Sequence, residues 1–114
     1  MATIYHNPRC SKSRQTLELI KHQGIEPEIV LYLETPLDAQ IIAVLLKKLG
    51  ISPRQLLRKG EQVYKEQNLA DTSLSEKQLI EAMAAFPKLI ERPIIVVGDK
   101  ATIGRPPEQV LEIL

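Results

Sequence analysis

Apolar positions come in short runs near the two ends of the chain and recur at helical spacing between them. Residues 2–6 read as a short buried strand. Ser11 to His22 carries Leu17, Leu19 and Ile20 at helical spacing, and Gly24 is placed to cap that helix. Glu28 to Leu33 is rich in Ile, Val, Leu and Tyr and predicts a second strand. Thr35-Pro36-Leu37-Asp38 then offers Thr35 as N-cap, proline at the first helical position and an acid at the third. The helix it opens turns Ile41, Ile42, Leu45, Leu46 and Leu49 inward and ends at Gly50.

Ser52-Pro53 starts a short helix through Leu56, Leu57 and Arg58, and another short helix covers Tyr64 to Leu69. Ser75 with Gln78 is a capping-box pattern ahead of a helix carrying Leu79, Ile80, Met83 and Ala84, which stops at Pro87. Ile94 to Val97 is a compact β-branched run, Gly98-Asp99 a turn, and Ala101 to Ile103 the returning strand. Pro106-Pro107 opens a last helix, Glu108 to Ile113. The order is β-α-β, a helical insert, then β-β-α. That order predicts an α/β thioredoxin-like fold: a mixed four-stranded sheet flanked by helices, its first strand pair parallel and its last antiparallel.

Composition narrows the function classes. A chain of 114 residues has the size of one domain, and 44% hydrophobic with 25% charged residues is ordinary for a globular one. Lys and Arg number 15 against 14 Asp and Glu, so no basic field points to nucleic acid. The aromatics are Tyr5, Tyr32, Tyr64 and Phe86, too few for base-stacking platforms. The longest apolar run, Ile41 to Leu46, is far too short to span a membrane. The N-terminus runs into a strand with no secretory pattern, so the sequence predicts a soluble cytoplasmic protein of one domain, residues 1–114.

Chemistry concentrates at one place. Cys10 is the only cysteine, which excludes an internal disulfide. It lies between the first strand and the first helix, beside Arg9, Lys12 and Arg14. Free N–H groups, the positive end of a helix and nearby cations favour thiolate over thiol. The position therefore reads as reactive, where a structural cysteine would sit among apolar neighbours. Cys10, His6 and the distant His22 do not make a zinc site, and no P-loop or dinucleotide fingerprint is present. No metal and no bound cofactor are expected.

The residues resemble a known family. His6-Asn7-Pro8-Arg9-Cys10 followed by Ser13-Arg14 is similar to the active-site loop of the glutaredoxin-linked arsenate reductases, the ArsC family. Tyr32-Leu33-Glu34-Thr35-Pro36, Leu56-Leu57-Arg58-Lys59, Glu91-Arg92-Pro93-Ile94 and Gly104-Arg105-Pro106 resemble further segments of that family, in order along the chain. Ser11 stands where many members carry glycine.

The resemblance implies that Cys10 attacks arsenate and that Arg58, Arg92 and Arg105 bind the oxyanion. It implies that His6 helps keep the cysteine ionised, that Ser13 lies near the thiolate, and that Pro93 is a cis proline facing the cysteine. It also implies glutathione as co-substrate and glutaredoxin as partner. From residue types alone, Arg58 fits a solvated cation at a helix end better than a binding role, while His6 also fits a strand-end histidine and Ser13 a first-turn residue. Arg92 and Arg105 each precede proline, which biases them to extended backbone at element ends. Arginine suits a small tetrahedral anion because its planar fork gives paired donors and stays charged.

With one cysteine, no second thiol of the chain can resolve an adduct, so composition also predicts an external thiol. Two rivals share the fold. A glutaredoxin-like thiol transferase would use Cys10-x-x-Ser13 without an arginine trio. A non-enzymatic regulatory interaction module would not need Cys10 at all.

Overall fold

The computed structural model describes residues 1–114. They form two compact units, Met1–Thr35 with Arg92–Leu114, and Pro36–Glu91. The second unit corresponds to the helical insert expected between the two halves of the fold.

The first unit contains β1 (Ala2–Tyr5), α1 (Ser11–His22), β2 (Glu28–Val30), β3 (Ile94–Val97) and β4 (Lys100–Ile103). The sheet order is β2-β1-β3-β4. β1 runs parallel to β2, with Ile4 opposite Ile29, and antiparallel to β3, with Ile4 opposite Ile95. β3 and β4 form the expected hairpin through a turn at Gly98, whose φ of 60° is the left-handed conformation glycine tolerates. Ile4, Ile20, Ile95 and Val110 make the fully buried core, with Leu17, Leu19, Ile25, Val97 and Ile113 packed on it. Consecutive burial of Ile94 and Ile95 marks β3 as covered on both faces, which is why this strand is β-branched throughout.

Two expectations in this unit are corrected. β2 ends at Val30, not Leu33, because the chain turns there: the N–H groups of Glu34 and Thr35 both donate to the Leu31 carbonyl. The closing helix, Pro107–Glu112, is a 3₁₀ helix, with Gln109 N–H bonded to Pro106 O and Ile113 N–H to Val110 O.

The second unit contains α2 (Ala39–Leu49), α3 (Pro53–Leu56), α4 (Gln62–Glu66), α5 (Glu76–Ala85) and a single 3₁₀ turn, Pro87–Leu89. The N-cap of α2 is Asp38, whose carboxylate accepts from Ile41 N–H at 2.8 Å; Thr35 and Pro36 lie before the helix. Starting the helix at Ala39 leaves Ile42, Leu45 and Leu46 buried and turns Ile41 outward, against expectation. Gly50 closes α2 in the left-handed conformation, at φ 69°. Ser52 with Gln55 and Ser75 with Gln78 form two reciprocal capping boxes, which is how helices as short as α3 satisfy their first N–H groups. α4 starts and stops earlier than expected, within Gln62–Glu66, and the chain leaves it through Asn68 at φ 54°. No helix is long and apolar enough to cross a membrane.

One close approach in the first unit governs the site. Gly104 is buried after β4, and its N–H donates to Pro93 O at 3.0 Å. A Cβ there would lie 2.5 Å from Thr16 Oγ1, 3.0 Å from Thr16 Cγ2 and 2.9 Å from Pro93 Cγ. Rotating Thr16 only exchanges its hydroxyl for its methyl, and its hydroxyl already donates to Lys12 O at 2.8 Å. Gly104→Ala should therefore destabilise the protein by about 1–3 kcal/mol through overpacking. Urea unfolding of the two proteins checks this, and an unchanged midpoint would show that the segment can move aside at no cost.

Candidate active site

The segment from His6 to Cys10 joins the end of β1 to the start of α1 and is fixed along its length. His6 N–H donates to Val30 O at 2.8 Å, extending the β1–β2 pairing by one bond. Asn7 then organises the turn: its backbone carbonyl accepts from Cys10 N–H and its side-chain Oδ1 from Arg9 N–H, both at 3.0 Å. From α1, Arg14 Nη1 reaches back to donate to Pro8 O at 2.9 Å.

Cys10 is the N-cap of α1, with extended backbone angles and its carbonyl accepting from Arg14 N–H. Its side chain makes no capping bond, so the sulfur is left for other partners beside the positive end of the helix. The residue is 9% exposed.

The partner is Arg105. Its Nη2 lies 3.6 Å from Cys10 Sγ, and its Nε donates to Arg92 O at 2.8 Å. The Arg92-Pro93 and Arg105-Pro106 peptides are both cis. Cys10, Arg92, Pro93 and Arg105 thus come together in one unit, although 95 positions separate Cys10 from Arg105. Arg92 enters this arrangement through its backbone carbonyl, which orients the guanidinium of its neighbour in space.

His6 and Ser13 form a second, buried pair. His6 Nδ1 and Ser13 Oγ are 2.6 Å apart, and Ser13 Oγ also accepts from Asn7 N–H at 3.0 Å. Ser13 is therefore bonded to the imidazole and the loop backbone, not to the sulfur. Burial, followed by the positive charges of Arg14 and Lys21, pushes the pKa of His6 below its ordinary 6.5. A neutral ring leaves the standing positive charge at the site to arginine.

Arg58 belongs to the second unit. It follows α3, where its backbone N–H donates to Leu89 O at 2.7 Å. Its guanidinium pairs with Glu61 at 3.1 Å and Glu91 at 3.5 Å. The resemblance gave Arg58 an oxyanion role, and a ligand there would compete with these two carboxylates. No group of three His, Cys, Asp or Glu residues is placed to hold a metal ion.

Sequence reasoning missed Gly104, Thr16 and the tethering roles of Asn7 and Arg14. Only Gly104 left a signal, as the glycine preceding Arg105-Pro106.

The model of the ArsC family matches residues 5–113. The chain belongs to the ArsC family. It is 51% identical over 112 residues to an arsenate reductase of Haemophilus influenzae, covering 97% of each chain. It is 66% identical to Escherichia coli K12 protein YfgD, whose name assigns no activity, over 97% of this chain and 94% of that one. Among solved structures, an arsenate reductase from Vibrio cholerae superposes with a TM-score of 0.97 at 53% identity, covering 99% of this chain and 97% of that one. The thioredoxin-like fold with a helical insert is thus the fold of the ArsC family.

The depressed His6 pKa has a direct consequence. In the unfolded chain the ring protonates near pH 6.5, whereas the native ring resists protonation until a lower pH. Protonation then favours the unfolded state, so this contribution to stability is lost as pH falls below about 6.5. An NMR titration of the His6 ring should give a midpoint below 6.5. A midpoint at or above it would mean that the ring is cationic in the native protein at neutral pH or just below.

Proposed function

We propose that this protein reduces arsenate to arsenite, with Cys10 as nucleophile and with glutathione and glutaredoxin as the source of electrons. The observation that carries the reading is the 3.6 Å approach of Arg105 Nη2 to Cys10 Sγ at the N-cap of α1. It puts a fixed cation and a helix N-terminus beside the sole thiol, which is what attack on an oxyanion requires. The arsenate reductases among its relatives support the same chemistry.

In this reading Arg105 and Arg92 hold the anion and offset the charge that builds as sulfur approaches arsenic, and the family resemblance is the ground for adding Arg58. Cys10 thiolate forms an S–As bond and one arsenate oxygen leaves as water. Glutathione thiolate forms a second S–As bond, releasing another water. The glutaredoxin thiolate then attacks the glutathione sulfur. The electron pair of that S–As bond stays on arsenic, reducing As(V) to As(III) and releasing the mixed disulfide. Water displaces arsenite from Cys10 and restores the thiol. The two electrons come from two external thiols, because the chain carries only one. His6 and Ser13 act here by fixing the loop that presents Cys10, and Pro93 by packing beside Gly104.

Arsenate-dependent NADPH consumption, coupled through glutathione, glutaredoxin and glutathione reductase, tests the proposal. Wild type should turn over and Cys10→Ser should not. Omitting glutaredoxin should stop turnover. Arg105→Ala should lower kcat/KM by about 10- to 100-fold, the loss of one hydrogen bond to a charged group. Turnover that survives Cys10→Ser, or a wild type silent with arsenate, would sink the reading.

A further inference from the structure

Beside the Cys10 loop lies a cleft of about 250 Å³ lined by His6, Asn7, Pro8, Arg9, Leu31, Leu33 and Glu34. Every one of these residues belongs to the first unit. One wall is the four residues that precede Cys10; the other is the turn that ends β2. The last lining residue of the first wall, Arg9, is one peptide from the nucleophile, its Cα about 3.8 Å from that of Cys10.

Its lining is unlike an ordinary surface dent. Leu31 and Leu33 give it an apolar side, and Leu33 stays 37% exposed. Arg9 and Glu34 are exposed and bring one charge of each sign. Neither charge is otherwise committed to an ion pair. Pro8 and Asn7 cannot drift, since Arg14 holds the Pro8 carbonyl and Ser13 the Asn7 N–H. The wall next to the nucleophile is therefore preformed.

We propose that this cleft seats the glutathione molecule that attacks the Cys10-bound arsenic. Glutathione is a flexible tripeptide with carboxylates at both ends and an ammonium at one, so it needs contacts of both signs. Arg9 takes a carboxylate, Glu34 the ammonium, and the two leucines the methylene chain between them. The thiol in the middle of the peptide is then delivered from the Arg9 side toward Cys10. There it forms the second S–As bond as a hydroxyl leaves with a proton as water. This seat rests on the arsenate reductase reading for its purpose, but its existence can be measured without arsenate.

The test is a titration of ¹⁵N-labelled Cys10→Ser protein with S-methylglutathione, which cannot form a disulfide or bind arsenic through sulfur. Amide shifts should centre on 6–9 and 31–34. Shifts centred elsewhere, or none at millimolar peptide, overturn the seat whatever the protein does with arsenate.

Turnover supplies the second readout. Glu34→Lys should raise KM for glutathione about two- to five-fold or more, the worth of one exposed ion pair turned repulsive, while KM for arsenate stays unchanged. With 2-mercaptoethanol, which has no charged groups, wild type and Glu34→Lys should be equal. Equal loss with both thiols would also overturn the seat. A wild type inactive with arsenate and every thiol would instead defeat the reductase reading and leave the amide shifts to decide whether the peptide binds.

Discussion

The site depends on how closely the chain after β4 can approach the first turns of α1. Gly104 meets Thr16 and Pro93 at distances that leave no room for a Cβ. Everything that follows Gly104 is placed by that contact. Arg105 comes next, anchors its Nε on the Arg92 carbonyl, and so brings Nη2 to the Cys10 sulfur. Ile20 on α1 and Ile95 on β3, both in the core of this unit, are fully buried, so neither element yields easily. A single missing methyl thus sets a distance between two functional groups at opposite ends of the sequence.

The remaining interactions divide the work of presenting the thiol. Backbone bonds from Asn7 and the Arg14 guanidinium define the loop, and the helix that begins at Cys10 supplies direction. His6 contributes shape more than charge: buried against Ser13 and faced by Arg14 and Lys21, it favours the neutral ring. Positive charge at the site then comes from the Arg105 guanidinium. That suits an oxyanion substrate better than an imidazolium would, since the field at the sulfur stays constant when pH drifts near neutrality.

Much of this was legible in the sequence, for reasons that differ by feature. The strand–helix–strand opening, the β3–β4 hairpin and the Ser75–Gln78 capping box are local patterns, and α1 and β3 came out with their observed bounds. Cys10 was legible because a lone thiol beside cations at a helix start is a local pattern too. The errors came where two local signals competed. At the start of α2, Thr35-Pro36 read as the opening with Asp38 as a first-turn acid, but the helix took Asp38 itself as N-cap, its carboxylate bonding Ile41 N–H. At β2, apolar residues continued beyond Val30, but the turn onto the Leu31 carbonyl overrode them. The Gly104–Thr16–Pro93 contact joins three distant segments and leaves no periodic trace. Arg58 could be nominated only by resemblance, because an exposed arginine and a functional one look alike in sequence, whereas Arg92 and Arg105 also stood out as arginines that precede proline.

The net charge of +1 sharpens what the local arrangement must accomplish. A protein with so little net charge gains no long-range steering of an anion. Attraction has to arise within a few ångströms of the sulfur, from the Arg105 guanidinium and the N-terminus of α1, where solvent screening is weakest. The same geometry limits what can follow. Cys10 is 9% exposed, and the chain holds no second cysteine that could swing in. In the proposed reaction an external reductant would have to approach from the surface beside Cys10 while Arg105 holds the anion. The wall formed by His6 to Arg9 immediately precedes Cys10 in the chain and is built from loop residues held in place by α1, which is what makes it the candidate seat.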